Sequence, residues 1–165
     1  MIFVTVGTHE QAFDRLVKKV DKLVEKGIIK ESVIVQTGYC TYEPKYCKWQ
    51  KLFPYHEMEK IIKEARIIIT HGGPASFIAP LKLGKIPIVV PRQVQYNEHV
   101  NDHQLAFAQE VQKRLGAILT VEDIEDLEQT ILKYDELIKS TSGYSFSNNE
   151  KFNAQLDYIV KNMFI

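Results

Sequence analysis

A surplus of either charge is missing from this chain of 165 residues, in which 21 Lys plus Arg stand against 21 Asp plus Glu. Proteins that grip nucleic acid carry a basic excess to neutralise phosphates, so the balance argues against a nucleic-acid partner. Long apolar runs are missing too: the longest, around Ile67–Ile69 and Ile86–Val90, fall far short of the ~20 residues that cross a bilayer. The start, Met1-Ile2-Phe3-Val4-Thr5-Val6, lacks the basic segment and long apolar core of a signal peptide. The expected location is therefore cytoplasmic, with any membrane link made through a partner. Cysteine is scarce, and the two present, Cys40 and Cys47, are expected as reduced thiols rather than as a disulfide or metal pair. No linker, repeat or low-complexity tract divides the chain, which predicts one domain over residues 1–165.

What is present is an alternation of short β-branched runs with amphipathic segments. Strands are predicted at Ile2–Val6, Val33–Gln36, Trp49–Phe53, Ile67–Thr70, Ile88–Val90 and Ala117–Leu119. Helical spacing follows at Phe13, Leu16, Val17, Val20, Leu23 and Val24, with Gly27 as the stop, and again after Pro54 through Met58, Ile61, Ile62 and Ala65. A short helix is predicted from Pro74 to Leu83, and a longer one over Glu98–Val111. Thr120 with Asp123 three residues on resembles a capping signal for a helix bearing Ile124, Leu127, Ile131, Tyr134 and Ile138. A polar turn at Ser140–Ser147 precedes a last amphipathic segment, residues 148–165, with Phe152, Leu156, Ile159, Val160 and Met163 at helical spacing. The alternation predicts an α/β fold: a single Rossmann-like domain whose parallel sheet carries helices on both faces. Ligands in such sheets bind beyond the carboxyl ends of the strands, where strand order reverses, which directs attention to the residues after Val6, Gln36, Thr70 and Val90.

The strongest local signal is Ile69-Thr70-His71-Gly72-Gly73-Pro74-Ala75-Ser76, a strand running into two glycines with proline placed for a first helical turn. The free N–H groups and dipole of that turn favour an anion, commonly phosphate, and His71 and Ser76 can add donors. A tight strand–helix turn with no ligand is the bland alternative. Thr5-Val6-Gly7-Thr8-His9-Glu10 is a second phosphate-facing candidate, equally readable as a plain turn. It lacks GxGxxG, and Gln36 stands where a dinucleotide site would end its second strand in an acid, so an NAD or FAD enzyme is not expected. In Glu98-His99-Val100-Asn101-Asp102-His103-Gln104, a helix would put His99 and His103 on one face. Two histidines could begin a zinc site, but a third ligand is not evident. A polar helix start reading sugar hydroxyls, or a solvated face, accounts for the residues as well. Lys18, Lys19, Lys22 and Lys26 are expected on the wet side of the first helix, and Phe53-Pro54-Tyr55 could pass beside a planar base or simply enter a helix.

Together these stretches resemble the donor-binding, C-terminal-type domain of two-Rossmann (GT-B) glycosyltransferases in the family of the bacterial lipid II N-acetylglucosaminyltransferase. The likeness is strongest to split members: the small subunits of bacterial capsular and exopolysaccharide β-1,4-galactosyltransferases, and of the eukaryotic enzyme that acts on dolichol-linked sugar. Phe3–Thr8 with Phe13-Asp14-Arg15-Leu16, Thr70–Ser76, Gly84–Pro91 and Glu98–Gln104 carry it, over residues 1 to about 119. The resemblance implies that Gly7 and Thr8 face the diphosphate or donor sugar, and that backbone near Phe53 meets the uracil. It implies that His71, Gly72, Gly73 and Ser76 hold the diphosphate, and that Asp102, His103 and Gln104, with Glu98 nearby, contact sugar hydroxyls. Many relatives place a glutamate on the ribose where this chain has Ala79.

The activity so implied is transfer from a UDP-sugar, UDP-galactose by family likeness, to a lipid-linked oligosaccharide in surface polysaccharide synthesis. No metal or cofactor is expected beyond the UDP-sugar co-substrate. The catalytic base is expected on a membrane-anchored, acceptor-binding partner subunit, which would hold this chain at the inner face of the membrane. The last helix could dock that partner or pack on its own core. A non-catalytic enhancer subunit and a zinc hydrolase using His99 and His103 are the other readings.

Overall fold

A computed structural model describes residues 1–141 and 149–163, except the side chains of Asn149, Phe152, Asn153, Leu156, Val160 and Met163 in the last helix. The β-branched runs form strands β1 (Ile2–Thr5), β2 (Val33–Gln36), β3 (Lys48–Gln50), β4 (Ile67–Thr70), β5 (Ile88–Val89) and β6 (Leu119–Thr120). All pairings are parallel, in the order β3-β2-β1-β4-β5-β6. Ile2 lies opposite Val33 and Ile67, and Thr5 opposite Gln36 and Thr70. Order therefore reverses between β1 and β4, and a crevice opens beyond their carboxyl ends.

Between the strands run α1 (Asp14–Glu25), α2 (Tyr55–Glu64), α3 (Pro74–Lys82), α4 (His103–Leu115), α5 (Leu127–Leu132), α6 (Tyr134–Thr141) and α7 (Asn149–Met163). Successive strand side chains point to opposite faces, and the core divides accordingly. Ile2, Val4, Ile67, Ile69 and Ile88 pack with Leu16, Val17 and Val20 of α1 and Leu127 and Ile131 of α5. Phe3 and Ile68 point the other way, onto Ile62 of α2. Val89 meets Phe77 of α3, Phe107 and Val111 of α4 and Ile159 of α7.

The sequence-based boundaries depart from the structure where polar residues were read as helix. α4 begins at His103 rather than Glu98, so His99 and His103 do not share a helical face. The long helix expected after Thr120 is a 3-10 turn, Ile124–Asp126, followed by α5 and α6, and its cap is Asp123, whose carboxylate accepts from the Glu125 N–H at 2.9 Å. β3 is Lys48–Gln50 rather than Trp49–Phe53, and β6 is shifted to Leu119–Thr120. Residues 142–147 of the expected polar turn lie outside the described residues. So do the side chains of Phe152, Leu156, Val160 and Met163.

Two internal clamps hold the connections between the elements. Lys85 Nζ donates to the carbonyls of Ile62, Lys63 and Ala65, closing the C-terminal end of α2 with a charge the helix dipole favours. On α1, Asp14 accepts from the Thr41 N–H and hydroxyl and the Tyr42 N–H. One turn or two further on, Asp21 accepts from the Tyr42 hydroxyl at 2.7 Å and from the N–H groups of Lys45, Tyr46 and Cys47. Burial pushes the Asp21 pKa up, but hydrogen bonds from Tyr42, Lys45, Tyr46 and Cys47 prevail and hold it below 3.8. A carboxylate so favoured stabilises the fold above its ordinary pKa, and that contribution is lost as pH falls below it. Asp21→Asn is expected to cost roughly 1.5–3 kcal/mol at pH 7, the range for hydrogen bonds to a charged acceptor. Urea unfolding at pH 7 and again near pH 3 checks this: the gap between variant and wild type should narrow in acid.

Candidate functional site

His71 stands at the end of β4, and the glycines on either side of it make room for its ring. A Cβ at Gly7 would lie 2.4 Å from His71 Nε2, and one at Gly73 2.3 Å from Cε1. Gly7 also has φ +75, a conformation few residues but glycine adopt. The imidazole is thus held between the β1–α1 turn and the start of α3. The Gly73 N–H donates to His71 Nδ1 at 3.0 Å, which places the ring proton on Nε2. Burial and then the neighbouring Arg92 charge pull the His71 pKa down to about 4; a Gln104 hydrogen bond opposes this, and His9 and His99 add to it. At neutral pH His71 is an uncharged N–H donor beside Gly7.

Around it the turn is braced from behind. Gln104 Oε1 accepts from the Gly72 N–H at 3.0 Å and from the Arg92 N–H at 3.2 Å. A Cβ at Gly72 would lie 2.8 Å from the Gln104 Cβ, so this glycine serves the approach of α4. Ser76 turns its hydroxyl back, within 3.0 Å of the His71 carbonyl and 2.6 Å of the Gly73 carbonyl. Pro74 opens α3 and brings no N–H, and the Ser76 N–H is taken by the Gly73 carbonyl at 3.1 Å, so what the helix start offers is chiefly its positive dipole end.

On the β1 side, the Gly7 N–H donates to Thr5 Oγ1, which also accepts from Gln36 Nε2. Gln36 Oε1 in turn accepts from the Phe53 N–H at 3.0 Å. Buried Gln36 therefore ties the Phe53 loop to the Gly7 turn. The Phe53 ring rests edge-on against Phe3, 6.3 Å between centroids. Thr8 is exposed at the mouth.

A family model of the glycosyltransferase family 28 C-terminal domain matches residues 1–159. The chain belongs to that family. No curated protein matches the sequence. Among solved structures, the glycosyltransferase of kitacinnamycin matches with a TM-score of 0.63 at 18% identity, over 87% of this chain and 37% of its own length. The glycosyltransferase SnogD from Streptomyces nogalater matches with a TM-score of 0.51 at 18% identity, over 73% of this chain and 30% of its own. At that identity the likeness is one of fold: this family 28 domain is one Rossmann-like half of a GT-B architecture, and spans about a third of those chains.

Within the family 28 domain, the expected residues divide into three groups. Gly7, Thr8, Phe53, His71, Gly72, Gly73, Ser76 and Gln104 gather on the strand tips. Asp102 and His103 are exposed at the start of α4, where Asp102 accepts from the Val94 N–H and the His103 N–H donates to Asn101 Oδ1. Glu98 is different: it is 3% exposed, and its carboxylate is taken by a bidentate pair with Arg15, at 2.8 and 2.9 Å, and by the Gln93 N–H. Among the described residues, no group of three or more His, Cys, Asp or Glu is arranged to hold a metal ion. Cys40 and Cys47 are free, their thiols pushed up to about 11 and about 12, chiefly by burial.

Two residues behind the site gave no signal in the sequence. Arg92 is fully buried; one guanidinium nitrogen donates to the Gln11 and Glu98 carbonyls and another to the Val6 carbonyl at 2.8 Å. Gln11 holds the turn from the other side, accepting from His9 Nε2 at 2.9 Å and donating to the Asn97 carbonyl. In sequence both read as ordinary surface residues.

Proposed function

We propose that this family 28 domain binds the donor, a UDP-sugar and specifically UDP-galactose, for a metal-independent transferase that extends a lipid-linked oligosaccharide. One observation carries the reading: an uncharged imidazole N–H, a positive-φ glycine turn and a helix N-terminus converge where strand order reverses. As the sugar–phosphate bond breaks, negative charge grows on the diphosphate, and donors fixed in advance stabilise it without a metal. Uracil lies along the Phe53 backbone, the diphosphate over the His71 ring that fills the space between Gly7 and the α3 turn, and the sugar towards Asp102, His103 and Gln104. Glu98 acts through Arg15 by fixing the loop that presents these groups. With Ala79 exposed on α3, the ribose is bound without a carboxylate there.

The acceptor hydroxyl and its general base come from a second domain on a membrane-anchored partner subunit, so that the domain works at the cytoplasmic face of the membrane. α7 contributes Ile159 to its own core, and its exposed Tyr158 is available to meet the partner. Calorimetry on the assembled pair is expected to give heat of binding with UDP. That heat should disappear in Gly73→Val, whose side chain would occupy the His71 ring position. A transfer-competent pair that binds no uridine diphosphate compound would leave this chain an enhancer and overturn the proposal.

A further inference from the structure

His9, from the β1–α1 loop, and His99, from the β5–α4 loop, stack face to face, 4.6 Å between centroids and 21° between planes. The pair sits in the electrostatic reach of His71 and Arg92. Its hydrogen bonds fix the tautomers. His9 Nε2 donates to Gln11 Oε1, leaving Nδ1 as a lone pair, and His99 Nδ1 accepts from the Asn101 N–H at 3.4 Å, leaving its proton on Nε2. Among the described residues neither His9 Nδ1 nor His99 Nε2 has a hydrogen-bond partner. His71 cannot accept a proton on Nδ1 without breaking its bond from Gly73.

We infer that the His9–His99 stack is a proton-gated anion contact: it takes up one proton as the donor diphosphate enters, converting one donor and one lone pair into two donors. The inference rests on the diphosphate-binding reading above. An imidazolium over a neutral imidazole is an attractive stack, whereas two imidazolium rings repel, so the pair accepts one proton and not two. The surroundings oppose a charge on His99. Burial, then His9 and Arg92, lower the His99 pKa against hydrogen bonding from Asn101. Glu98 is bound to Arg15, Asp102 accepts from Val94, and exposed Glu10 is the acidic neighbour of His9 in the loop. An anion in the crevice favours the charged form. Affinity is then highest below the pKa of the free pair, and the gain is lost as pH rises through the ligand-bound pKa.

The test follows the imidazole resonances of the full chain by NMR between pH 5.5 and 8, alone, with millimolar UDP-glucose and with millimolar uridine. UDP-glucose is the probe because its diester diphosphate does not titrate there, unlike a terminal phosphate with a second pKa of about 6. The expected result is an upward move of the pair's titration midpoint by about one unit with UDP-glucose only, equal to about tenfold tighter binding in its protonated form. In His9→Gln the binding should lose its pH dependence. If UDP-glucose shifts the Gly72 and Gly73 amides while the midpoint stays, the stack is structural and only this inference fails. An equal midpoint shift with uridine overturns it as an anion effect. Silence of all these signals overturns it too, and puts the donor-binding reading itself against the calorimetry of the assembled pair.

Discussion

Replacing His71 by alanine is expected to lower kcat/KM for sugar transfer by about 10²–10³-fold in the assembled enzyme, the usual loss when one pre-aimed donor to a developing anion is removed. The effect has two sources. The Nε2–H disappears, and the gap between Gly7 and Gly73, which the ring now fills, collapses or takes in water. If the donor acts mainly as charge develops, kcat should fall more than KM rises. His71→Gln, which keeps an N–H donor at similar reach, should recover part of the rate. Because the His71 pKa lies at about 4, the ratio of variant to wild type should stay flat between pH 6 and 8. Stability moves differently. A histidine that resists protonation in the fold but accepts it unfolded penalises the native state progressively as pH falls from the ordinary 6.5 towards 4. His71→Ala should lack that component. An unchanged transfer rate in the variant would remove His71 from the site.

The strand–helix alternation was readable because buried parallel strands are almost pure β-branched runs; Ile67–Thr70 and Val33–Gln36 have the same limits in sequence and structure. The glycine turn was readable as well, but not the reason for its glycines. A phosphate-binding turn wants glycine for close backbone approach. Here Gly7 and Gly73 admit an imidazole, and Gly72 admits the flank of α4. Local pattern cannot separate these causes, since each needs only the absence of a Cβ. The start of α4 was misread for a related reason. Glu98 to Asp102 are polar enough for a helix N-terminus, but a long-range bond from Arg15 to Glu98 and a local one from Val94 to Asp102 wind them into a turn. Asn97 at φ 56 helps to set that turn. The Arg15 partner lies 83 positions away in the chain, beyond the reach of any window.

Arg92 was invisible by the same logic, since charged side chains are seldom wholly buried, and its removal should be the most destabilising single change around the site. Its guanidinium serves the carbonyls of Val6, Gln11 and Glu98, which belong to the two loops flanking the crevice. It also lies over the Phe13 ring, 4.9 Å from the centroid. In Arg92→Met the stem can still pack, but three acceptors lose their donor, at roughly 1–3 kcal/mol for each that stays buried. Relief of the desolvated charge and of the unsatisfied Nε offsets part of this, leaving a net loss of about 3–5 kcal/mol. The urea midpoint should drop accordingly with little change in slope. Arg92→Lys should fall between, because an ammonium cannot span carbonyls on both loops in the planar fork of a guanidinium. Donor binding should weaken in both variants, more in Arg92→Met, because this side chain joins the Gly7 turn to the His99 loop. A drop in donor binding with an unmoved urea midpoint would mean that Arg92 acts by its charge on the anion and not by holding the loops.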